Sequence, residues 1–363
     1  MHPLQLVTDC EGPLALNDNA FELCRDFIKP DGARFFQQVS RYGDYLAEVL
    51  KKPGFQAGDT LKLILPFLKA HGITNEGLSD YCSRHIQLVQ GASGAYRFLH
   101  GQGFPIFAIS AGYRQFAEAV GKKLGFNPKH IFCTELDLDR YRLSEAETAE
   151  LLRLEQEIAT APEIELPPEA AALEDLSPAV QDALKICNRI FFKRLPEMEI
   201  GLIYQEVNPL DGPAKAQALA ESLTRTELTM KDMIYVGDSS TDVQAFKAVR
   251  AGDGLAISFN GNQQAVKAAE VIIIADNAWP IALIASVFHL WGKEGVMELA
   301  TKGTAGAGRY LVLPEAVIDT LMRGLQGRNF NLHAAASLNM EKIVQESEAM
   351  RAKLLGPAVA TLG

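Results

Sequence analysis

Closely spaced cysteines are missing from this sequence. Its five cysteines are odd in number and scattered along the chain: Cys10, Cys24, Cys82, Cys133 and Cys187. A structural zinc site or a disulfide framework needs closely spaced or evenly paired cysteines, so the pattern argues against both. We therefore expect the thiols to be reduced, as they are in the cytosol.

Long hydrophobic runs and an excess of positive charge are missing as well. The longest apolar stretch, AWPIALIASVFHLW (278–291), is too short to span a bilayer. The opening MHPLQLVTDC shows neither the basic region nor the cleavage site of a signal peptide. The net charge of −10 disfavours binding to nucleic acid or to an acidic membrane. These absences predict a cytoplasmic protein with neither kind of partner.

The composition that remains is that of an ordinary globular protein. Hydrophobic residues make up 48% and charged residues 22% of the 363 residues. This length exceeds that of a typical single domain, and it suits a core domain with a smaller accessory domain.

Short apolar runs alternate with amphipathic segments along much of the chain. Six runs are predicted to be buried strands: residues 3–9, 104–110, 130–136, 232–238, 254–259 and 269–276. The segments 113–125, 214–224 and 241–251 carry apolar residues at helical spacing. Alternating strands and helices predict an α/β fold with a doubly wound parallel sheet. In such sheets ligands bind at the carboxyl ends of the strands.

Three segments interrupt this alternation. Residues 16–87 have helical periodicity without a clear strand, which predicts a helical cap inserted after the first strand. Residues from about 144–199 are rich in Glu and Ala and are predicted to form an acidic helical insertion. Residues 301–363 are predicted to form a C-terminal helical extension. The core domain would then comprise residues 1–15 and 88–300.

Polar residues stand where several of these elements end or begin. The set consists of Asp9, Glu11, Ser110, Lys215, Asp238 and Asp242. A carboxylate nucleophile can accept a phosphoryl group and then be freed by water. Fixed donors and a cation must offset the charge on the phosphoryl oxygens, a role that suits Ser110, Lys215 and backbone N–H groups at a helix start. Asp9 and Asp238 are oxygen ligands of the kind that Mg²⁺ prefers.

Each of these residues has a simpler explanation when it is taken alone. An acid at a strand end is often part of a turn or a helix cap, Ser110 suits an N-cap, and Lys215 suits the surface. The order of the residues and their shared place at strand ends favour a phosphoryl-transfer site over this explanation.

Four motifs resemble those of the haloacid dehalogenase (HAD) superfamily of phosphohydrolases, which use an Asp nucleophile. The motifs are DCEG (9–12), ISAGYRQFAEAVG (109–121), GPAKAQAL (212–219) and VGDSSTDVQAF (236–246). The phosphoserine-phosphatase-like branch is the most similar, and the resemblance covers about residues 1–15 and 88–276. It implies a HAD-like Rossmannoid core and a Mg²⁺-dependent phosphatase that forms an aspartyl-phosphate.

The resemblance also implies a role for each site residue. Asp9 would be the nucleophile and a metal ligand, and Glu11 would be the general acid/base and bind the metal through its backbone carbonyl. The implied substrate-binding residues are Ser110, Ala111, Gly112, Lys215 and Asp18. Asp238 and Asp242 would complete the Mg²⁺ site. The expected partner is a small phosphorylated metabolite, and the oligomeric state is left open.

Two departures from the family pattern keep other functions open. Glu11 stands where most relatives have Asp, and Thr241 stands where phosphoserine phosphatases often have Asn. A phosphotransferase that passes the phosphoryl group to an alcohol is one alternative, and a non-catalytic accessory protein on a HAD scaffold is another. Arg34 and Arg41 of the cap are candidates to bind a substrate carboxylate, although surface arginines are the simpler interpretation.

Overall fold

A seven-stranded sheet lies at the centre of the part of the chain that the structure describes. The structure is a computed structural model, and it describes residues 2–167, 170–302, 315–335 and 339–356. The strands are β1 (Gln5–Thr8), β2 (Ile106–Tyr113), β3 (Ile131–Thr134), β4 (Met233–Gly237), β5 (Leu255–Phe259), β6 (Val271–Ala275) and β7 (Phe330–Ala334). Their order is β3-β2-β1-β4-β5-β6-β7.

The strand directions confirm the predicted α/β class with its mostly parallel, doubly wound sheet. Strands β1 to β6 pair in parallel, and all six lie within or overlap the runs predicted from the sequence. Strand β1 has β2 on one side and β4 on the other, so the chain leaves it in opposite directions. This arrangement makes the carboxyl end of β1 the switch point at which α/β sheets bind ligands.

Strand β7 corrects one expectation, because the C-terminal extension was predicted to be helical. The segment FNLHA pairs antiparallel with β6 and covers the edge that β6 would otherwise expose. Its apolar residues Phe330, Leu332 and Ala334 alternate with Asn331 and His333. A five-residue alternation is too short to be recognised beside longer helical patterns. Residues 303–314, 336–338 and 357–363 of the predicted extension lie outside the described residues.

Fifteen α-helices surround the sheet in the described ranges. They are α1 (Asn19–Phe27), α2 (Gly32–Asp44), α3 (Thr60–Ala70), α4 (Asn75–His85), α5 (Ala92–Gly101), α6 (Arg114–Leu124), α7 (Glu145–Thr160), α8 (Pro178–Arg189), α9 (Ile203–Glu206), α10 (Pro213–Thr226), α11 (Val243–Ala251), α12 (Gln263–Ala268), α13 (Trp279–Lys302), α14 (Glu315–Leu325) and α15 (Met340–Leu355). None of these described helices has the length and apolar character that a membrane crossing requires.

Helices α1 to α4, which follow β1, share one hydrophobic core with α7 to α9, which follow β3. The ring of Phe191 stacks on Tyr42 with 5.6 Å between centroids and meets Phe67 edge-on at 6.2 Å. The buried Gln38 amide donates to the carbonyl of Pro162 at 2.8 Å and accepts the N–H of Ile164 at 3.0 Å. The acidic segment after β3 therefore packs on the cap helices. The domain limits given above remain a prediction.

Two hydrogen bonds join the cap to the core above the strand ends. The N–H of Gly58 donates to Asp211 Oδ2 at 2.6 Å, and the hydroxyl of Tyr113 donates to the carbonyl of Leu61 at 2.6 Å. A Cβ atom at Gly58 would lie 2.8 Å from the Asp211 side chain, so the approach requires glycine. These contacts hold the cap over the carboxyl end of the sheet.

We expect Phe191→Ala to lower the free energy of unfolding by about 3–5 kcal/mol, because it opens a cavity in the shared core. Phe191 is 1% exposed, whereas its neighbour Phe192 is 37% exposed. The matched control Phe192→Ala should therefore cost less than about 1 kcal/mol. Urea unfolding of both variants measures the difference, and equal losses would contradict a core that includes Phe191.

Candidate active site

Two acids predicted as site residues follow adjacent strands at the switch point. Asp9 comes directly after β1 and Asp238 directly after β4, and both are buried. The N–H of Asp9 donates to the carbonyl of Val236 at 2.8 Å, which extends the pairing of the two strands to the acid. Ser110 lies in β2, on the other side of β1. The sheet thus brings three of the predicted residues to one edge.

Lys215 is a fully buried cation near the start of α10. Its Nζ donates to Asp9 Oδ2 at 2.5 Å, to Asp242 Oδ1 at 2.7 Å and to Thr241 Oγ1 at 3.1 Å. Burial disfavours a charged lysine, but the carboxylates of Asp242 and Asp9 outweigh it and hold the pKa of Lys215 well above its usual value. A positively charged lysine side chain therefore lies directly beside Asp9, the predicted nucleophile.

Asp242 is held by four donors. Besides Lys215, its Oδ1 accepts the hydroxyl of Tyr235 at 2.6 Å, and its Oδ2 accepts the N–H groups of Asp238 at 2.8 Å and Ser239 at 3.1 Å. Burial works against the charged form, but Lys215 and the other donors lower the pKa of Asp242 below its usual value. This carboxylate fixes both Lys215 and the loop that follows β4.

The acids of this edge form a group that fits a divalent cation. Asp9, Asp238 and Asp242 each offer a carboxylate oxygen within 4.8 Å of the others. Burial raises the pKa of Asp9 to about 8 although Lys215 opposes it, and burial raises the pKa of Asp238 to about 6 although Arg351 opposes it. The charged forms of the buried Asp9 and Asp238 are therefore costly, and hard carboxylate oxygens are the donors that Mg²⁺ prefers.

Gly12 of the DCEG motif allows the turn after β1 to lie against Asp238, which follows β4. Gly12 has a φ of +81°, a conformation that favours glycine. A Cβ atom there would lie 2.3 Å from the carboxyl carbon of Asp238. The motif therefore needs glycine at this position for conformation and for space.

Glu11 and Asp18 face the same cavity as Asp9. Glu11 Oε1 accepts the N–H of Asn19 at 2.9 Å, and Asp18 caps α1 by accepting the N–H of Phe21 at 2.9 Å. Burial, with Asp18 as the nearest charge, raises the pKa of Glu11 well above its usual value. Burial also raises the pKa of Asp18. Glu11 thus holds its proton more tightly than an exposed glutamate does.

Ser110 lies within β2, which extends three residues beyond the predicted strand 104–110. Strand β2 continues to Tyr113 through an irregular register with β3, and α6 begins only at Arg114. Ser110 Oγ is buried and accepts the N–H of Gly112 at 3.1 Å. Ala111 follows at the cavity wall. These three predicted phosphate-binding residues remain adjacent, but on extended backbone.

A cavity of about 130 Å³ lies between the cap and the strand ends. From the core its lining includes Asp9, Glu11, Asp238, Thr241 and Ala111, and from the cap it includes Asp18, Phe36, Ser40, Asp44, Gly58 and Thr60. The size is close to that of a cavity of roughly 150 Å³ that holds a benzene molecule. The site therefore has room for a small molecule.

Arg351 of α15 also enters this cavity, and the sequence analysis missed it. The side chain is 7% exposed, and its Nη1 donates to Asp238 Oδ2. Its Nε–H is buried and has no hydrogen-bond partner among the described residues, a state that costs about 1–3 kcal/mol when nothing satisfies it. One signal was available, since Arg351 continues the buried face of Ile343, Val344 and Ser347 at helical spacing.

Comparison with solved structures finds a match over the whole chain. The product of gene AF1437 of Archaeoglobus fulgidus is 26% identical, with 99% of each chain covered and a TM-score of 0.79. A phosphoserine phosphatase with a phospho-aspartyl intermediate analogue is 14% identical over 75% of this chain and 93% of that one, at a TM-score of 0.44. A HAD family hydrolase from Salmonella enterica serovar Typhi is 12% identical over 72% of this chain and 64% of that one, at a TM-score of 0.41. No protein-family model and no curated protein matches the chain.

The fold is an α/β fold with a mostly parallel, doubly wound sheet, as the alternation of strands and helices predicted, and membership of the HAD superfamily remains an expectation from the motifs. The sheet order places β1 centrally, acids follow β1 and β4, and a helical cap follows the first strand. The buried aspartates form an acidic group that could bind a metal ion. The individual roles assigned to the site residues remain predictions.

We expect Lys215→Met to lower the free energy of unfolding by about 3–5 kcal/mol, because it leaves the buried Asp9 and Asp242 without their cation. Lys293→Met is the matched control, since Lys293 also pairs with two acids, Glu270 at 2.9 Å and Asp253 at 3.3 Å, but is 22% exposed. The control should cost less than about 1 kcal/mol. Chemical unfolding without added metal compares them, and a small loss for Lys215→Met would contradict the buried ion triad.

Proposed function

We propose that this protein is a Mg²⁺-dependent phosphatase that hydrolyses a small phosphomonoester through an aspartyl-phosphate on Asp9. The observation that carries the proposal is the contact of 2.5 Å between Lys215 Nζ and Asp9 Oδ2 at the carboxyl end of the central strand. It joins a candidate nucleophile in the cavity wall to a fixed cation buried behind that wall, beside an acidic group that could bind a metal ion. The small cavity supports a small phosphorylated substrate.

In the first step a carboxylate oxygen of Asp9 forms a bond to phosphorus while the bond from phosphorus to the leaving oxygen breaks. Glu11, whose carboxyl faces the cavity, donates its proton to the leaving alcohol. Lys215 and the residues from Ser110 to Gly112 bind the phosphoryl oxygens as their charge redistributes. The alcohol then departs.

In the second step a water molecule attacks phosphorus and the bond to Asp9 breaks. Glu11, now a carboxylate, accepts a proton from that water. Inorganic phosphate leaves, and Asp9 returns as a carboxylate beside Lys215. The same glutamate thus serves as acid and then as base, which needs a side chain that reaches both the leaving oxygen and the water.

Asp9, Asp238 and the backbone carbonyl of Glu11 would hold the Mg²⁺ ion. When bound, the ion supplies positive charge that reduces repulsion between the acids and the phosphoryl oxygens. Asp242 remains a candidate ligand, but its four hydrogen bonds to protein donors suit a positioning role through Lys215 and the loop after β4.

We expect Asp9→Asn to reduce kcat for an aryl phosphate by several orders of magnitude, because the amide keeps the size of the side chain but cannot act as the nucleophile. Activity should require Mg²⁺ and disappear with EDTA. The matched control is Asp253→Asn, an acid whose side chain is 86% exposed, and it should keep full activity. Activity of Asp9→Asn within tenfold of the wild type would exclude the covalent mechanism.

We expect Glu11→Gln to slow hydrolysis of an alkyl phosphate far more than that of an aryl phosphate. An aryl leaving group departs as a stabilised anion, so general acid catalysis worth about 10²–10⁴-fold shows only with the alkyl substrate. An initial burst should appear with the aryl substrate, since Glu11 also activates the water of the second step. The measurement is kcat/KM for both substrates, and equal losses would assign Glu11 a structural role.

A further inference from the structure

Arg351 of α15 is paired with one of the acids that a metal ion would need. Its Nη1 donates to Asp238 Oδ2 and, at 3.4 Å, to the carbonyl of Asp238. Both side chains are buried, so the ion pair is shielded from water. Asp238 is also a member of the acidic group with Asp9 and Asp242, whose carboxylate oxygens lie within 4.8 Å of one another. The guanidinium therefore lies at the border of the candidate metal site.

Arg351 is the one lysine or arginine among the described residues that line the cavity. The two cap arginines considered from the sequence are held elsewhere. Arg34 Nη2 donates to the carbonyl of Ala161 at 3.2 Å, and Arg41 pairs with Asp44 at 3.6 Å. No other arginine or lysine of the described cavity lining could therefore replace Arg351 if its side chain moved away.

A guanidinium and a divalent cation beside the same carboxylate repel each other. Water and salt screen such a repulsion weakly in a buried site. Burial raises the pKa of Asp238 to about 6, and Arg351 is the strongest influence that opposes this rise. Arg351 thus already supplies positive charge to Asp238. A cation that binds to this carboxylate would gain from the departure of Arg351.

The two cationic side chains of the site are held to different degrees. Lys215 is fully buried and contacts Asp242 and Thr241 in addition to the candidate nucleophile. Among the described residues Asp238 is the one carboxylate in ion-pair contact with Arg351, and the Nε–H of Arg351 is buried without a hydrogen-bond partner there. An unsatisfied buried donor costs free energy for as long as the side chain stays in place. Arg351 is therefore the cation that can be displaced more easily.

Helix α15 is attached to the core by a small set of contacts. Ser347 Oγ donates to the carbonyl of Gly261 at 2.7 Å. The apolar cluster that includes the helix consists, among the buried described residues, of Val266, Ile272, Ile274, Ile343 and Val344. The contact of Arg351 with Asp238 adds to these at the C-terminal end of the helix. Loss of this contact would therefore favour release of that end.

The same end of α15 covers the site. Arg351 and Leu355 line the cavity between the cap and the strand ends. Together with Leu354 they also line a smaller cavity, of about 10 Å³, beside Asp238. Movement of the helix end away from the core would thus open the site on the side of this carboxylate.

We propose that α15 is an inhibitory segment that competes with the divalent cation for Asp238. The inference rests on the proposed function only for the use of Asp238 as a metal ligand. With α15 docked, Arg351 is paired with Asp238 and the helix end covers the site. Binding of the cation displaces Arg351 and loosens the helix end. Because binding equilibria are reciprocal, docking of α15 weakens cation binding by the same factor by which the cation weakens docking.

Titration with Mg²⁺ alone measures this competition without substrate or turnover. Arg351→Met removes the charge and keeps a long side chain. Isothermal titration calorimetry should show that it binds Mg²⁺ about 5- to 150-fold more tightly than the wild type does, the usual range of such couplings. Arg351→Lys keeps the charge and should remain close to the wild type. The matched control is Arg84→Met, which changes an exposed arginine that pairs with Asp80 and should leave the affinity for Mg²⁺ unchanged.

A second variant tests the docking of the helix separately from the charge. Ser347→Ala removes the hydrogen bond to Gly261 and leaves Arg351 in place. It should also bind Mg²⁺ more tightly, because a larger fraction of the protein is then free to bind the cation. Hydrogen exchange gives the reciprocal measurement on the wild type: Mg²⁺ should speed exchange of the amides of α15 and leave those of α10 unchanged. Thermal unfolding identifies any variant that fails to fold, and the exchange measurement then carries the test.

The outcomes distinguish this inference from the proposed function. An affinity for Mg²⁺ that is unchanged or weaker in Arg351→Met or Ser347→Ala, or exchange of α15 that Mg²⁺ does not speed, would overturn the competition. Weaker binding of inorganic phosphate by Arg351→Met at saturating Mg²⁺, with the affinity for Mg²⁺ unchanged, would make Arg351 a phosphoryl ligand and overturn it too. Tighter Mg²⁺ binding by both variants, with no hydrolysis of any phosphomonoester, would support the competition and count against the phosphatase. Absence of Mg²⁺ binding in the wild type and in both variants would overturn both.

Discussion

The buried contact of Lys215 with Asp9 and Asp242 is the interaction on which the rest of the site depends. A charge removed from water is costly unless opposite charges surround it, and here both acids lie within 2.7 Å of Nζ. The three residues come from the end of β1, the start of α10 and the loop after β4. The triad can form only when the central strands and α10 are in place, so these charges select this arrangement of elements.

The balance of charge around that triad accounts for the other features of the site. Asp238 comes close to Asp9, and Gly12 leaves the space that this approach requires. Three acids, Asp9, Asp238 and Asp242, meet two cations here, Lys215 and Arg351, and burial raises the pKa values of Asp9 and Asp238 although these cations oppose it. A divalent cation would correct this excess. The acidic group is thus consistent with a metal site.

The sequence was sufficient for the features that local patterns encode. Buried parallel strands appear as continuous apolar runs, and the acids after β1 and β4 stand where such runs end, so both could be located. Strand β7 could not be located from the sequence, because its five residues show only a short alternation of apolar and polar side chains. The packing of Phe191 on Tyr42 joins positions 149 residues apart, and no local pattern records such a contact. Arg351 was missed for a related reason, since its partner Asp238 is 113 residues away.

Arg351 also shows how a site can be completed by a segment outside the region that carries the motifs. The resemblance to HAD proteins ends near residue 276, whereas α15 begins at Met340. The helix docks through a few apolar residues, chiefly Ile343 and Val344, and through the polar contacts of Ser347 and Arg351. Part of its attachment is therefore the charge of Asp238, which is also a candidate metal ligand. Helix α15 and the acidic group at the strand ends thus meet at this one carboxylate, so a change in either affects the other.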